Sequence, residues 1–181
     1  MDENSVREAL RELLLAEKTD LLLNLTAQGV SREIGTLTVT TLAAPSDYFY
    51  IGISVVNSRE QVRGNLGRTA INVPSQAEYD VLIEVSDYGI SQPGLEKYMF
   101  EKMDKDFNLF TDRIVNKLRS NYFITNSDNG SKYKLLEPER SVNKDNLSGQ
   151  WPDAEGYHPL FYAQITFTLL EECTDSTKLY S

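Results

Sequence analysis

The sequence predicts an α+β domain in which a mostly antiparallel sheet of four to five strands packs against two helices and carries long irregular arms. Three observations support this. Residues 94–119 place Leu95, Met99, Met103, Phe107, Phe110, Ile114 and Leu118 on one helical face, with charged side chains such as Glu96, Lys97, Glu101, Lys105 and Lys117 opposite. Just before that stretch, residues 79–86 alternate Tyr79, Val81, Ile83 and Val85 with Asp80, Leu82, Glu84 and Ser86. Near the end, Phe161, Ala163, Ile165, Phe167 and Leu169 alternate with Tyr162, Gln164, Thr166, Thr168 and Leu170. A long helix laid over the apolar faces of two strands is therefore the expected keystone, with Phe107, Phe110, Ile114, Val81, Ile83, Ile165 and Phe167 packed together.

The remaining elements follow in order. Ser5-Val-Arg-Glu8 has the capping-box pattern of a helix start. The helix after it, within residues 1–29, gathers Val6, Leu10, Leu13, Leu14, Leu21, Leu22 and Leu25 on one side, with Gly29 as terminator. Its charges are of both signs, so its apolar side is expected to pack on a sheet or a neighbouring subunit rather than lie on a membrane. Residues 36–42 and 48–56 read as strands joined by the turn Ala43-Ala-Pro-Ser-Asp47, and a hairpin is expected. In the second strand Phe49, Ile51, Ile53 and Val55 form one apolar face. Tyr48 and Tyr50 lie on the other, beside Gly52 and Ser54, and mark either an interface or a second covered face.

Residues 57–78 break the pattern and read as a long loop or arm containing Arg59, Arg63, Arg68 and a brief apolar run at Ala70-Ile71. Arginine's planar fork suits carboxylates or phosphates. In a chain of net charge −9, carboxylates on a sister subunit are the better matched partner, and a solvated loop is the other reading. Tyr48, Tyr50, Arg59, Arg63, Arg68 and Ile71 are thus the candidate interface residues. Pro93-Gly94 suits the start of the long helix, and Lys117 and Arg119 suit its negative end. Residues 123–127 form a short strand or a turn, Ser127-Asp-Asn-Gly-Ser131 a tight turn, and residues 132–137 a strand with Tyr133 and Leu135 on one face. Residues 138–159 read as a second long loop, polar except for Val142, Leu147 and Trp151, and residues 173–181 as a loose tail. The whole of 1–181 is expected to be one domain.

Composition narrows the function. A net charge of −9 and a pI near 4.7 oppose tight sequence-independent nucleic-acid binding, which requires neutralised phosphates. The single cysteine, Cys173, excludes an intrachain disulfide and a thiolate metal cluster. No apolar run is long enough to span a membrane, and the N-terminus lacks a signal-peptide layout, which predicts a soluble chain made in the cytoplasm. The lone histidine, His158, reads as a loop side chain rather than a general base. Asp104-Lys-Asp-Phe-Asn108 lacks the glycine and glutamate of a calcium loop and reads as a helix face. Glu171-Glu172 could do acid–base work only if burial raised one pKa. No nucleophile elbow or phosphate loop is present. No catalytic residue, metal site or cofactor is expected, and an enzyme is the minority reading.

The order of these elements carries a resemblance. Tyr79-Asp-Val-Leu-Ile-Glu-Val-Ser86, the long helix, and the final Tyr162-Ala-Gln-Ile-Thr-Phe-Thr-Leu-Leu-Glu171 together resemble the tail terminator (tail completion) proteins of long-tailed bacteriophages, over about residues 6–172. The resemblance is one of pattern, since that family has no short diagnostic signature. It implies a virion structural protein assembled in the host cytoplasm as a homohexameric ring. Such a ring caps the tail tube, ends its growth and joins it to the head-side connector or stopper protein. DNA would pass through the lumen without specific binding, which an acidic wall favours by repelling phosphates. Another head–tail adaptor or stopper protein of the phage neck is the alternative.

Overall fold

Asp2, rather than Ser5, starts the first helix. The computed structural model describes residues 2–27, 30–31, 34–38, 49–62, 75–88, 96–136, 142–153 and 156–173. In it, α1 runs Glu3–Ala16, and Asp2 Oδ1 accepts from the backbone N–H groups of Asn4 and Ser5, both at 3.1 Å. These are the orphan donors that an N-cap carboxylate satisfies, so the capping box expected at Ser5 is overturned and Ser5 lies buried in the first turn. The chain breaks at Glu17 and resumes as α2 (Lys18–Leu22). Asn24 then takes a left-handed φ of 61°, which Asn tolerates better than most residues. Helical structure therefore ends before Gly29, which lies outside the described residues. Thr26–Ala27 (β1) instead pairs antiparallel with Val30–Ser31 (β2).

The main sheet has seven strands, against the four to five expected; the α+β class and mostly antiparallel pairing stand. They are β3 (Ile34–Thr38), β4 (Phe49–Val62), β5 (Ser75–Tyr88), β6 (Phe123–Thr125), β7 (Lys132–Leu135), β8 (Asn143–Asp153) and β9 (Gly156–Cys173). Their order is β3-β4-β5-β9-β7-β6, with β8 also on β9. The expected hairpin of residues 36–42 and 48–56 is corrected, because β3 and β4 run parallel, with Leu37 opposite Ile51. Residues 39–48 between them can span up to ~33 Å when extended, enough to bring the chain back to the end at which β3 began.

The two long irregular segments are also corrected in part. In the first, 57–62 and 75–78 are strand, pairing Arg59 with Glu78 and Val62 with Ser75. In the second, β8 pairs with β9 from Asn143 opposite Thr166 to Asp153 opposite Gly156. His158 therefore stands in a strand opposite Trp151, not in a loop. Both segments are polar and hold turn-prone residues, and pairing with a neighbouring strand overrides that local preference. The tail beyond Cys173 lies outside the described residues.

The long helix α3 runs Glu96–Ser120 and covers the inner face of the sheet. Met103, Phe107, Phe110, Ile114 and Leu118 are buried as the stripe predicts, together with Thr111 and Val115. Pro93, Gly94 and Leu95 lie outside the described residues. Thr111 is polar but satisfied, since its hydroxyl donates back to the carbonyls of Phe107 and Asn108, each at 3.0 Å. Phe110 stacks on Phe49 of β4 with ring centroids 4.1 Å apart, and Phe107 lies 5.7 Å from Phe161 of β9. Val81, Ile83, Ile165 and Phe167 close the same core, so the expected cluster is present. Each such side chain, fully buried, stabilises the fold by roughly 1.5–3 kcal/mol. The helix ends where Asn121 Nδ2 and Ser120 Oγ donate to the carbonyl of Lys117, at 2.7 and 3.0 Å.

α1 lies on the same face, pinned by a polar clamp. Ser5 Oγ accepts from Tyr133 Oη and Asn129 Nδ2, both at 2.7 Å, and the Ser5 carbonyl accepts from Asn126 Nδ2 at 3.0 Å. Tyr79 Oη donates to Glu171 Oε2 at 2.8 Å and accepts from the Asp2 N–H at 3.3 Å. Burial, then the Glu171 carboxylate, hold the Tyr79 phenol well above its ordinary value; burial also raises that of Tyr133. Both phenols stay protonated and remain donors. Arg113 of α3 fastens α2, donating from Nη1 to the carbonyls of Leu21 at 2.9 Å and Leu23 at 2.6 Å.

Candidate interaction surface

With α1 and α3 on one face, the opposite face of the central strands is polar and, among the described residues, uncovered. Its residues follow from strand alternation: Tyr50, Gly52, Ser54, Asn57 and Arg59 on β4, Glu78, Asp80, Leu82, Glu84 and Ser86 on β5, and Tyr162, Gln164, Thr166 and Thr168 on β9. Most are half-buried or exposed.

Two side-chain groups organise this face. In the first, Arg59 Nε donates to Glu78 Oε2 at 2.5 Å and Arg59 Nη1 to Asp80 Oδ2 at 3.1 Å. Asp80 also accepts from Asn57 Nδ2 at 3.2 Å and Thr168 Oγ1 at 2.8 Å. Burial pushes the Asp80 carboxyl upward, but the bonds from Thr168 and Asn57 and the Arg59 charge outweigh it and leave the pKa below its ordinary value. The same contacts, led by the bond to Glu78, raise Arg59 further. In the second group, Tyr162 Oη donates to Glu84 and accepts from Gln164 Nε2 at 3.0 Å. Burial, then the bond to Glu84, raise the Tyr162 phenol. Tyr50 and Tyr162 flank Ser86 from the two neighbouring strands.

These groups satisfy one another across the strands. Among the described residues, no group of three or more His, Cys, Asp or Glu is placed to hold a metal ion. The depression between α2 and α3, about 320 Å³, is lined by Glu17, Asp20, Leu21, Arg113, Asn116, Lys117 and Ser120. Its cations are already engaged, Arg113 by the α2 carbonyls and Lys117 by Glu17 at 2.7 Å. Glu171 is held by Tyr79. Residues 104–108 lie on α3, where Asn108 Nδ2 donates to the Asp104 carbonyl and Oδ1 accepts from Asn146, consistent with a helix face. No helix among the described residues is long and apolar enough to cross a membrane.

Of the six residues singled out from sequence, two can be placed. Tyr50 and Arg59 both project from the open face of β4. The carboxylates that Arg59 meets are those of the adjacent strand in its own chain. Tyr48, Arg63, Arg68 and Ile71 lie outside the described residues.

The sheet edges hold residues that the sequence reading missed. β3 covers β4 only from Phe49 to Gly52, so among the described residues β4 has no strand partner on that side from Ile53 onward. A bulge falls there between Val55 and Asn57, and the extra residue, Val56, is 61% exposed. At the opposite edge, Phe123 of β6 is 50% exposed. Tyr122 meets its ring edge-on with centroids 4.5 Å apart, and Lys134 Nζ lies 5.0 Å above the Tyr122 ring. An isolated Tyr-Phe pair just past a helix end was the available signal. Neither a protein-family model nor a curated protein matches the chain.

Proposed function

We propose that this chain is a structural protein of the phage tail, a terminator that assembles as a ring on the end of the tail tube, stops its growth and joins it to the head-side connector. The observation that carries the reading is the unit on which the resemblance rests. β5 and β9 lie side by side and antiparallel from Ser75 opposite Cys173 to Tyr88 opposite Leu160, with α3 across their inner face. The open polar face and the exposed edges support an interaction protein over an enzyme, because their charged groups are consumed in pairing with one another. On this reading the partners are further copies of the chain, in a hexamer, together with the tail-tube and connector proteins. No cofactor is involved. DNA passes without being held, and Tyr48, Arg63, Arg68 and Ile71 contact a neighbouring subunit or ring.

The test is to add the purified chain to polymerising tail-tube protein from the same source and measure tube lengths by electron microscopy. Shortened tubes bearing one terminal ring of this protein are the expected result. Tubes of unchanged length would overturn the terminator role. Binding to the connector alone would replace it with that of a head–tail adaptor.

A further inference from the structure

The loop between β6 and β7 holds the one Asn-Gly step in the chain, Asn129-Gly130, and both residues are exposed to water. Such a step is open to attack by the glycine nitrogen on the asparagine side-chain amide. Glycine has no Cβ to shield that nitrogen or to restrict the backbone that carries it forward. Here each reacting group is occupied. The Gly130 N–H donates to the Asn126 carbonyl at 2.9 Å. The Asn129 amide donates from Nδ2 to Ser5 Oγ at 2.7 Å, and its Oδ1 accepts from the Ser131 N–H at 2.9 Å. Helix α1 holds the rest of the loop in place. The Ser5 carbonyl accepts from Asn126 Nδ2 at 3.0 Å, and Glu12 Oε2 accepts from the Ser127 N–H at 3.0 Å.

We propose that Asn129 is a self-modifying deamidation site that docked α1 holds unreactive, and that release of α1 lets it convert irreversibly. The reaction starts when the Gly130 N–H leaves the Asn126 carbonyl and gives its proton to hydroxide. The nitrogen then attacks Asn129 Cγ. A new N–Cγ bond forms, the Cγ–Nδ2 bond breaks, and Nδ2 leaves as ammonia with a proton from water. Water opens the resulting succinimide at either carbonyl, leaving aspartate or isoaspartate, so the net change is one water consumed and one ammonia released. Attack makes Cγ tetrahedral, which turns its oxygen and nitrogen away from Ser131 and Ser5. Both α1 bonds and the Gly130 bond therefore oppose the first step. Either product puts a new carboxylate beside Asp128 and removes the donor that Ser5 Oγ accepts, so α1 docks less well afterwards. Isoaspartate also adds a methylene to the main chain within a loop whose hydrogen bonds fix its path. A reversible opening of α1 thereby leaves a permanent mark. This inference is independent of the tail reading.

The experiment incubates the full chain at mildly alkaline pH, folded and in denaturant, and follows residue 129 by peptide mapping with mass spectrometry. Asn129 should convert in denaturant and more slowly, by about tenfold or more, in the folded chain, where only the open fraction reacts. Ser5→Ala removes the acceptor of Asn129, and Glu12→Ala frees Ser127 without placing a poor helix former in α1. Each should speed conversion in the folded chain by about threefold to tenfold and leave the denatured rate unchanged. Hydrogen exchange should show α1 amides losing protection in both variants while α3 amides keep theirs, which separates local release from global unfolding. Asn129→Asp, the product itself, should show the same loss over α1. Equal rates in the folded and denatured chains overturn the assignment, as does an Asn129 that stays intact in denaturant. Loosened α1 amides with an unchanged folded rate overturn the role of α1, since the loop alone would then protect Asn129.

Discussion

On β5, the face turned toward the helices carries Tyr79, Val81, Ile83 and Val85, none more than 1% exposed. The face turned away carries Glu78, Asp80, Leu82 and Glu84, all half-buried. One backbone with a period of two thus serves two environments. The inner face is fixed by apolar area and close packing, where a lost methylene is felt. The outer face is fixed by cross-strand polar pairs such as Arg59 with Glu78 and Asp80, each of which contributes little because water competes for it. The difference teaches that the inner face decides whether the chain folds, while the outer face and edges can change without unfolding it. Recognition is most easily written there.

The contrast can be broken most severely from inside. Phe110→Ala removes the ring stacked on Phe49 and should destabilise by about 3–5 kcal/mol, read from denaturant midpoints. A change below about 1 kcal/mol would mean that the inner face is not the one α3 covers. Next is the clamp. Tyr133→Phe leaves Ser5 Oγ without one of its two donors and should cost about 1–2 kcal/mol. Protection of α1 amides against hydrogen exchange should fall more than that of the α3 amides, because the lost bond ties α1 to β7.

Gly130 takes a φ of 71° in the loop between β6 and β7, and an added Cβ would meet nothing within 4 Å. Gly130→Ala should therefore cost about 1 kcal/mol from backbone strain alone, with Gly130→Asn milder. The smallest effect belongs to the outer face. Asp80 has a folded pKa below its ordinary value near 3.8, so at low pH the unfolded chain binds the proton more readily than the folded one. Its contribution is present above about 3.8 and is lost as pH falls through the lower folded value. The stability gap between the wild type and Asp80→Asn should be constant near neutrality and close in acid. A gap that widens in acid would show that burial, not the bonds from Thr168, Asn57 and Arg59, dominates at this carboxylate.

What was legible in the sequence follows the same division. The stripe Met103, Phe107, Phe110, Ile114, Leu118 and the alternations of β5 and β9 could be read because burial imposes a period on side-chain type. The outer halves of β4 and β8 could not. Asn57 to Gln61 and Asn143 to Asn146 carry polar side chains in both phases, and only the neighbouring strand makes them extended. The parallel entry of β3 was hidden because a proline-containing connection looks alike whether it reverses the chain or returns it to the start of a strand. Of the candidate interface, Tyr50 could be anticipated from its phase against Phe49 and Ile51. The exposure of Val56 depends on a bulge that no local residue announces.

β9 runs from Gly156 to Cys173 with β5 along one side and β8 and then β7 along the other. The strand on which most of the sheet pairs is thus the last one described, and it closes contacts such as Tyr79 to Glu171 across 92 positions. Such distant closures are slow, because the intervening chain must be ordered before they can form. During synthesis, β4 and β5 would emerge well before their central neighbour, and the β5 edge that pairs with β9 would wait unpaired. An unpaired strand edge is a template for association, so the interval before β9 is available is the one in which this sheet is most open to mispairing.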